Sequence, residues 1–239
     1  MSGHSKWATI KRKKGEIDAA RGKVFQRLAK EIYVAAKSGD PNPDNNASLR
    51  MVVEKAKGQN MPKDNIQKAI DKAKGGANGE DYFEVRYEGY GPSGIAIMVD
   101  CLTDNKNRTA SMVRSTFTKK GGNLGTSGSV SYMFERKGVI VIPNTYDEEE
   151  IMMNVLDSGA LDFISNDDSY EIYTTPEDFI KVKEGLTNLG IEEFLISEVT
   201  FVASNEIEVD DSVKEKVNNL IEALEEIDDV QSVYNNMSE

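Results

Sequence analysis

The 239 residues contain only one cysteine, one histidine and one tryptophan. Cys101 alone has no partner for an intramolecular disulfide. With His4 as the single imidazole, the chain has too few soft ligands for a thiolate or imidazole metal site. The same scarcity excludes a Ser-His-Asp or Cys-His relay. Long apolar runs are missing too. No window approaches the ~18 apolar residues of a membrane-crossing helix, and no apolar segment follows the basic MSGHSKWATIKRKKG, so no secretory signal is read there. A core is affordable, since 38% of the residues are apolar. These absences describe a soluble, reduced, cytoplasmic protein with no metal, no cofactor, no membrane association and no small-molecule substrate.

Cations are scarce in one part of the chain and crowded in another. Residues 1–75 hold 17 Lys and Arg against 8 Asp and Glu, a balance of +9. Residues 76–137 are near neutral, at 8 against 7, and residues 138–239 hold 4 against 26, a balance of -22. In the field of a polyanion such a molecule is attracted at its N-terminal third and repelled elsewhere. The partner implied is nucleic acid.

Helix periodicity dominates residues 1–75. Ile17, Val24, Leu28, Ile32 and Ala35 predict a first helix over 16–38. Leu49, Val52, Val53 and Ala56 predict a second ending at Gly58, and Ile66, Ala69, Ile70 and Ala73 a third that begins near Pro62. From Tyr82 the period becomes two, with strands over 82–87 and 94–102, a helix to about Lys120, a glycine-rich loop at 121–128 and a strand over 129–135. Residues 137–204 spell a βαββαβ unit, which is the ferredoxin-like order, and a helix over 211–226 with a strand over 230–234 then completes the unit begun at Tyr82. The resulting fold class is multidomain α+β: a three-helix bundle followed by two ferredoxin-like α+β domains, the third inserted in the second. The domains are 1–77, basic and helical; 78–136 plus 205–239; and 137–204, acidic.

The candidate nucleic-acid-binding residues follow the charge. Lys6, Lys11, Arg12, Lys13 and Lys14 form an arm with Trp7 among them, and Arg21, Lys23 and Arg27 continue it on the first helix. Several cations on one surface neutralise phosphates, and an interleaved indole stacks on a base. Taken alone, such a run is equally a solvated face, and Trp7 a core residue; the charge segregation favours contact. His4 serves as a cap or as a donor beside phosphate. Lys63 and Lys68 lie on the third helix, where they either contact the polyanion or form a solvated face. Arg108, Arg114 and Lys119 make a secondary basic strip. GGNLGTSG (121–128) lacks the GK[ST] ending of a phosphate loop and precedes a strand, so no nucleotide site is read there. Carboxylates such as Asp147–Glu150 sit at helix starts, where they stabilise the dipole. No catalytic residue is identified.

GHSKWATIK (3–11), RGKVF (21–25), NMPKDNIQKAI (60–70), YEGYGPSG (87–94), TDNKNRT (103–109) and GGNLGTSGSV (121–130) resemble the hallmark segments of the YebC/PmpR family, which includes the mitochondrial translational activator of cytochrome oxidase. The specific motifs cover the first ~140 residues, and a looser pattern continues to the end. Thr9 departs from the Asn common in the family. The resemblance implies a helical bundle with two ferredoxin-like domains and no catalytic activity. It also implies a probable DNA-binding transcriptional regulator; the alternative it implies is a ribosome-associated translation factor that relieves stalling on proline-rich stretches. Gly3, His4, Ser5, Lys6 and Trp7 match its most distinctive segment.

Overall fold

The computed structural model describes residues 17–74 and 81–238, with side chains from residue 22 onward. Three helices come first: α1 (Ile17–Lys37), α2 (Ala47–Gly58) and α3 (Lys63–Lys74). A hairpin of β1 (Phe83–Tyr90) and β2 (Ala96–Thr103) follows, then α4 (Lys106–Lys119) and the two-residue strand β3 (Asn123–Leu124). Next come β4 (Phe134–Pro143), α5 (Glu148–Ser158), β5 (Ala160–Ser165), β6 (Ser169–Thr174), α6 (Phe179–Asn188) and β7 (Ile196–Ala203). Helix α7 (Asp211–Glu225) and β8 (Val230–Asn235) come last. The strands form two sheets, in the orders β3-β1-β2-β8 and β5-β6-β4-β7. The chain divides into two compact units, residues 1–77 with 136–200 and residues 78–135 with 201–239.

In the bundle the 3.6-residue stripe does what its spacing predicts. Leu28, Ile32, Ala35 and Ala36 of α1 meet Leu49, Val53 and Ala56 of α2 and Ile66, Ala69 and Ile70 of α3. Asn46 fixes the corner between α1 and α2. Its Oδ1 accepts from the Leu49 N–H at 3.0 Å, capping α2, while its Nδ2 donates to the carbonyls of Ala35 (2.8 Å) and Asp40 (2.9 Å). One side chain thus satisfies an orphan donor of one helix and orders the end of another.

The first sheet buries one face under α4 and α7, with Ile97, Val99, Val113, Phe117, Leu220 and Leu224 at the centre. Its other face is covered by the chain itself, through Val130, Phe134 and Met133 packed on Ala96, Met98 and Tyr90. Gly89 is required where β1 meets β3, because a Cβ there would come within 2.5 Å of the Asn123 carbonyl. The elements of this sheet run β1-β2-α4-β3, then α7-β8, in the order that the spacing predicts, but with the hairpin at the centre of the sheet they do not make the ferredoxin-like βαββαβ unit expected of this domain. Cys101 is in β2, 3% exposed; burial, with Asp100 and Asp229 nearby, pushes its thiol up to about 12. The thiolate is the reactive form, so iodoacetamide at neutral pH is expected to label the native protein negligibly and the denatured protein stoichiometrically, as mass spectrometry would read.

The second sheet does run βαββαβ, with Ile140, Ile142, Ile172, Phe179, Val182 and Leu186 in its core. Asp147 caps α5 by accepting from the Glu150 N–H at 2.9 Å, and Glu148–Glu150 fill its positive first turn, as the spacing predicts. Gly159 ends the helix in the left-handed region at φ 107°. Two sequence expectations are corrected here. Of the strand expected over 129–135, only Phe134 and Glu135 are extended into a ladder, as the start of β4, since Ser131–Met133 form a tight turn. The strand expected at 139–142 starts earlier, as β4 runs unbroken from Phe134 to Pro143.

Candidate nucleic-acid interface

On α1, Lys23, Arg27 and Lys30 recur at four- and three-residue intervals. At about 100° per residue they share one stripe, opposite the core-facing Leu28 and Ile32. Arg21 falls within the same helix. His4, Lys6, Trp7, Lys11, Arg12, Lys13 and Lys14 lie outside the described residues.

Helix α3 does not present its cations as one face. Lys63, Gln67 and Lys74 project along one rim of its exposed arc, and Lys68 and Lys72 lie about 100–180° away, by the same helical geometry. Gln67 donates to Asp71 Oδ1 at 2.9 Å and Lys74 to the same oxygen at 3.1 Å. The amide that a base-reading face needs is therefore engaged within the helix. The pair of predicted residues Lys63 and Lys68 is split between two surfaces.

Lys63 instead joins Lys57 and Lys74 around a cleft of about 450 Å³ whose floor is Val53, Ile66 and Ile70. Sequence reasoning missed this cleft, because the Pro41–Pro43 segment that closes its side follows α1 by a turn held by side chains of Asp40, Asn42, Asn46 and Arg50 and not by any periodic pattern. Lys57 also donates to Glu54 Oε1 at 2.6 Å, and Lys183 of α6 reaches Glu54 Oε2 at 2.7 Å. Burial pushes the Glu54 carboxyl up, but the two ammonium groups outweigh it and hold the group below its ordinary range.

The secondary strip is divided as well. Arg114 and Lys119 are exposed on α4, but Arg108 is committed to carboxylates. Its Nη2 donates to Asp104 Oδ1 and to Asp229 Oδ2, both at 2.8 Å, and Asp229 is only 5% exposed. The same Asp229 oxygen accepts from Thr109 Oγ1 at 2.8 Å and Thr103 Oγ1 at 3.3 Å. Arg108 thus ties the start of α4 to the turn before β8. Its two carboxylates would have to be displaced before it could meet a phosphate.

The glycine-rich segment is built around Glu88, which sequence reasoning passed over. Glu88 is 4% exposed on β1, and its Oε1 accepts from the Gly128 N–H while its Oε2 accepts from those of Val130 and Ser131, each at 2.8 Å. With those donors taken, residues 128–131 cannot enter a ladder, which accounts for the missing strand. Burial pushes this carboxyl up, yet the converging N–H groups pull it below its ordinary value of 4.5. Strand alternation puts Glu88 on the side away from α4, where a carboxylate reads as solvated. Only the fold shows that this side is covered.

Glu171 of β6 is a second buried carboxylate, accepting from Tyr173 Oη at 2.8 Å and Asn166 Nδ2 at 3.2 Å. Among the described residues no group of three or more His, Cys, Asp or Glu could hold a metal ion, and no helix is long and apolar enough to cross a membrane.

Comparison with known proteins places this architecture. Residues 5–76 match the model of the TACO1/YebC protein N-terminal domain, and residues 82–237 that of the TACO1/YebC second and third domain. A "probable transcriptional regulatory protein" of Bacillus licheniformis is 55% identical over 99% of this chain and 100% of its own length. The "probable transcriptional regulatory protein YrbC" of Bacillus subtilis is 53% identical over 99% of each chain, and one from Lactobacillus acidophilus 53% over 98% and 97%. Among solved structures, a conserved hypothetical protein of Aquifex aeolicus superposes with a TM-score of 0.80 at 47% identity, over 92% of this chain and 91% of that one.

Proposed function

We propose that this chain, which belongs to the TACO1/YebC family, is a non-enzymatic, cytoplasmic regulator of transcription that binds DNA through its basic N-terminal domain. The relatives' names support the regulatory role. The observation that carries the DNA-binding reading is the charge segregation, +9 in residues 1–75 against -22 in residues 138–239. A duplex attracts the first and repels the second, so the bundle is the part that docks. Lys6, Lys11, Arg12, Lys13 and Lys14 of the arm contact phosphates together with Arg21, Lys23 and Arg27 of α1. His4 donates beside them and Trp7 stacks. Lys63 and Lys68 engage the backbone on either side of α3, and Arg114 and Lys119 lend longer-range attraction. In this reading the acidic 137–204 segment is a domain inserted between 78–136 and 205–239, and it keeps the duplex on the bundle side. The relatives' names give no support to the ribosome-bound alternative.

Regulation of particular genes needs discrimination among sequences. Fluorescence anisotropy of the full chain, on duplexes selected from a random pool and on unselected duplex, is expected to show a preference of at least ~10³-fold. Equal affinity for both pools would remove sequence-directed regulation and leave a backbone binder.

A further inference from the structure

The chain carries no lysine or arginine between residues 138 and 180, a stretch that holds 11 aspartates and glutamates. Within it, apolar side chains face outward. On α5, Ile151 and Val155 point into the core, while the opposite arc carries Met152 (37% exposed), Met153 (65%) and Leu156 (48%). At about 100° per residue these three fall within one arc of roughly 100°. Leu161, 59% exposed, lies just beyond Gly159 on β5, against which α5 packs. The pairing of β5 with β6 passes from Ala160↔Thr174 to Asp162↔Tyr173, so Leu161 is the extra residue of a bulge, a device that re-aims a side chain. Strand β5 is also an edge of its sheet. The same two elements carry Glu148, Glu149, Glu150, Asp157 and Asp162 and no cation.

A solvated helix face has no reason to carry two methionines and a leucine in its outer arc. Clustered exposed apolar side chains mark contact surfaces, and methionine adapts to varied partners. The acidic surroundings choose the chemistry of the partner. They repel nucleic acid and favour a cationic protein segment whose own apolar side chains are aligned. From this juxtaposition we infer that Met152, Met153, Leu156 and Leu161 form a docking surface for a basic amphipathic helix of a partner protein. The surface is separate from the nucleic-acid reading: an acidic, apolar contact on residues 148–162 would couple the DNA-bound molecule to a second protein.

The test uses the full chain and a synthetic peptide, about 18 residues long, of lysine and leucine at helical spacing, with a scrambled peptide of the same composition as control. Methyl NMR of the methionine and leucine side chains is expected to show shifts confined to Met152, Met153, Leu156 and Leu161. The scrambled peptide is expected to bind at least ~10-fold more weakly, since its apolar groups cannot align. The Met153→Gln, Leu156→Gln double variant, whose folding is checked by circular dichroism, is expected to lose at least ~10-fold in affinity for the aligned peptide. Should that variant fail to fold, Leu161→Gln alone is expected to weaken binding several-fold. Equal binding of the two peptides would reduce the surface to plain charge attraction and overturn the proposal. Unchanged affinity in a folded variant would overturn it too. So would concentration-dependent self-association that the variant abolishes, which would make a second copy of this chain the occupant.

Discussion

Replacing Lys11, Arg12, Lys13 and Lys14 together by glutamine is expected to lower affinity for duplex DNA about a thousand-fold at roughly 0.15 M salt. Each phosphate neutralised releases counterions and contributes a slope of about 0.9 in log affinity against log salt, so four contacts contribute about 3.6. Binding measured from about 0.05 to 0.5 M salt should therefore show a slope shallower by 3–4 in the variant. The loss should be the same for selected and unselected duplex, because backbone contacts position the protein without reading bases. An unchanged slope would show that the four cations are solvated and that the affinity resides in the helices. The matched change at Lys63 and Lys68 should be smaller, lowering the slope by about 1–2, since those residues face different sides of α3.

Glu88→Ala is expected to destabilise the unit of residues 78–135 and 201–239 by about 3–5 kcal/mol, a large fraction of the margin of an ordinary domain. The loss has a definite origin. Three backbone N–H groups at 2.8 Å lose a charged acceptor, and that of Val130 is buried beyond the reach of replacement water. Glu88→Gln keeps the shape but brings an NH₂ among N–H donors, so about 1–3 kcal/mol is expected. The pH dependence has a fixed sign. The folded carboxyl titrates below its ordinary 4.5, so its contribution is complete above that value and disappears as pH falls through the depressed folded value. Urea unfolding from pH 7 to pH 3 should show the wild type and Glu88→Ala converging at the acid end. Parallel curves would mean that the loop holds its shape without the carboxylate.

The parts of this protein that were legible in its sequence are those in which local pattern and tertiary environment coincide. The stripe from Val24 to Ala36, the acidic first turn of α5 and the βαββαβ unit all follow from spacing, because each buries a face that its own sequence marks as apolar. Glu88 was illegible for the opposite reason. It stands on the polar side of an alternating strand, and it is buried by residues some forty positions later that bind it through backbone N–H groups, to which every sequence contributes alike. Arg108 was half legible: Asp104 lies at helical spacing from it, but Asp229 is 121 residues away. The split of Lys63 from Lys68 follows from five residues of helix and needed only the angle. The hairpin of the first sheet was legible in its alternation, but β3 beside it was not, because it is two residues of a glycine-rich loop, shorter than any alternation can reveal.

The central claim is that the basic N-terminal domain brings this chain to DNA. It is tested most directly by crosslinking in growing cells, recovery of the protein and sequencing of the nucleic acid attached to it. The account predicts reads concentrated at a limited set of promoter regions and lost when Lys11, Arg12, Lys13 and Lys14 are neutralised. Reads concentrated on ribosomal RNA, lost in the same variant, would contradict it.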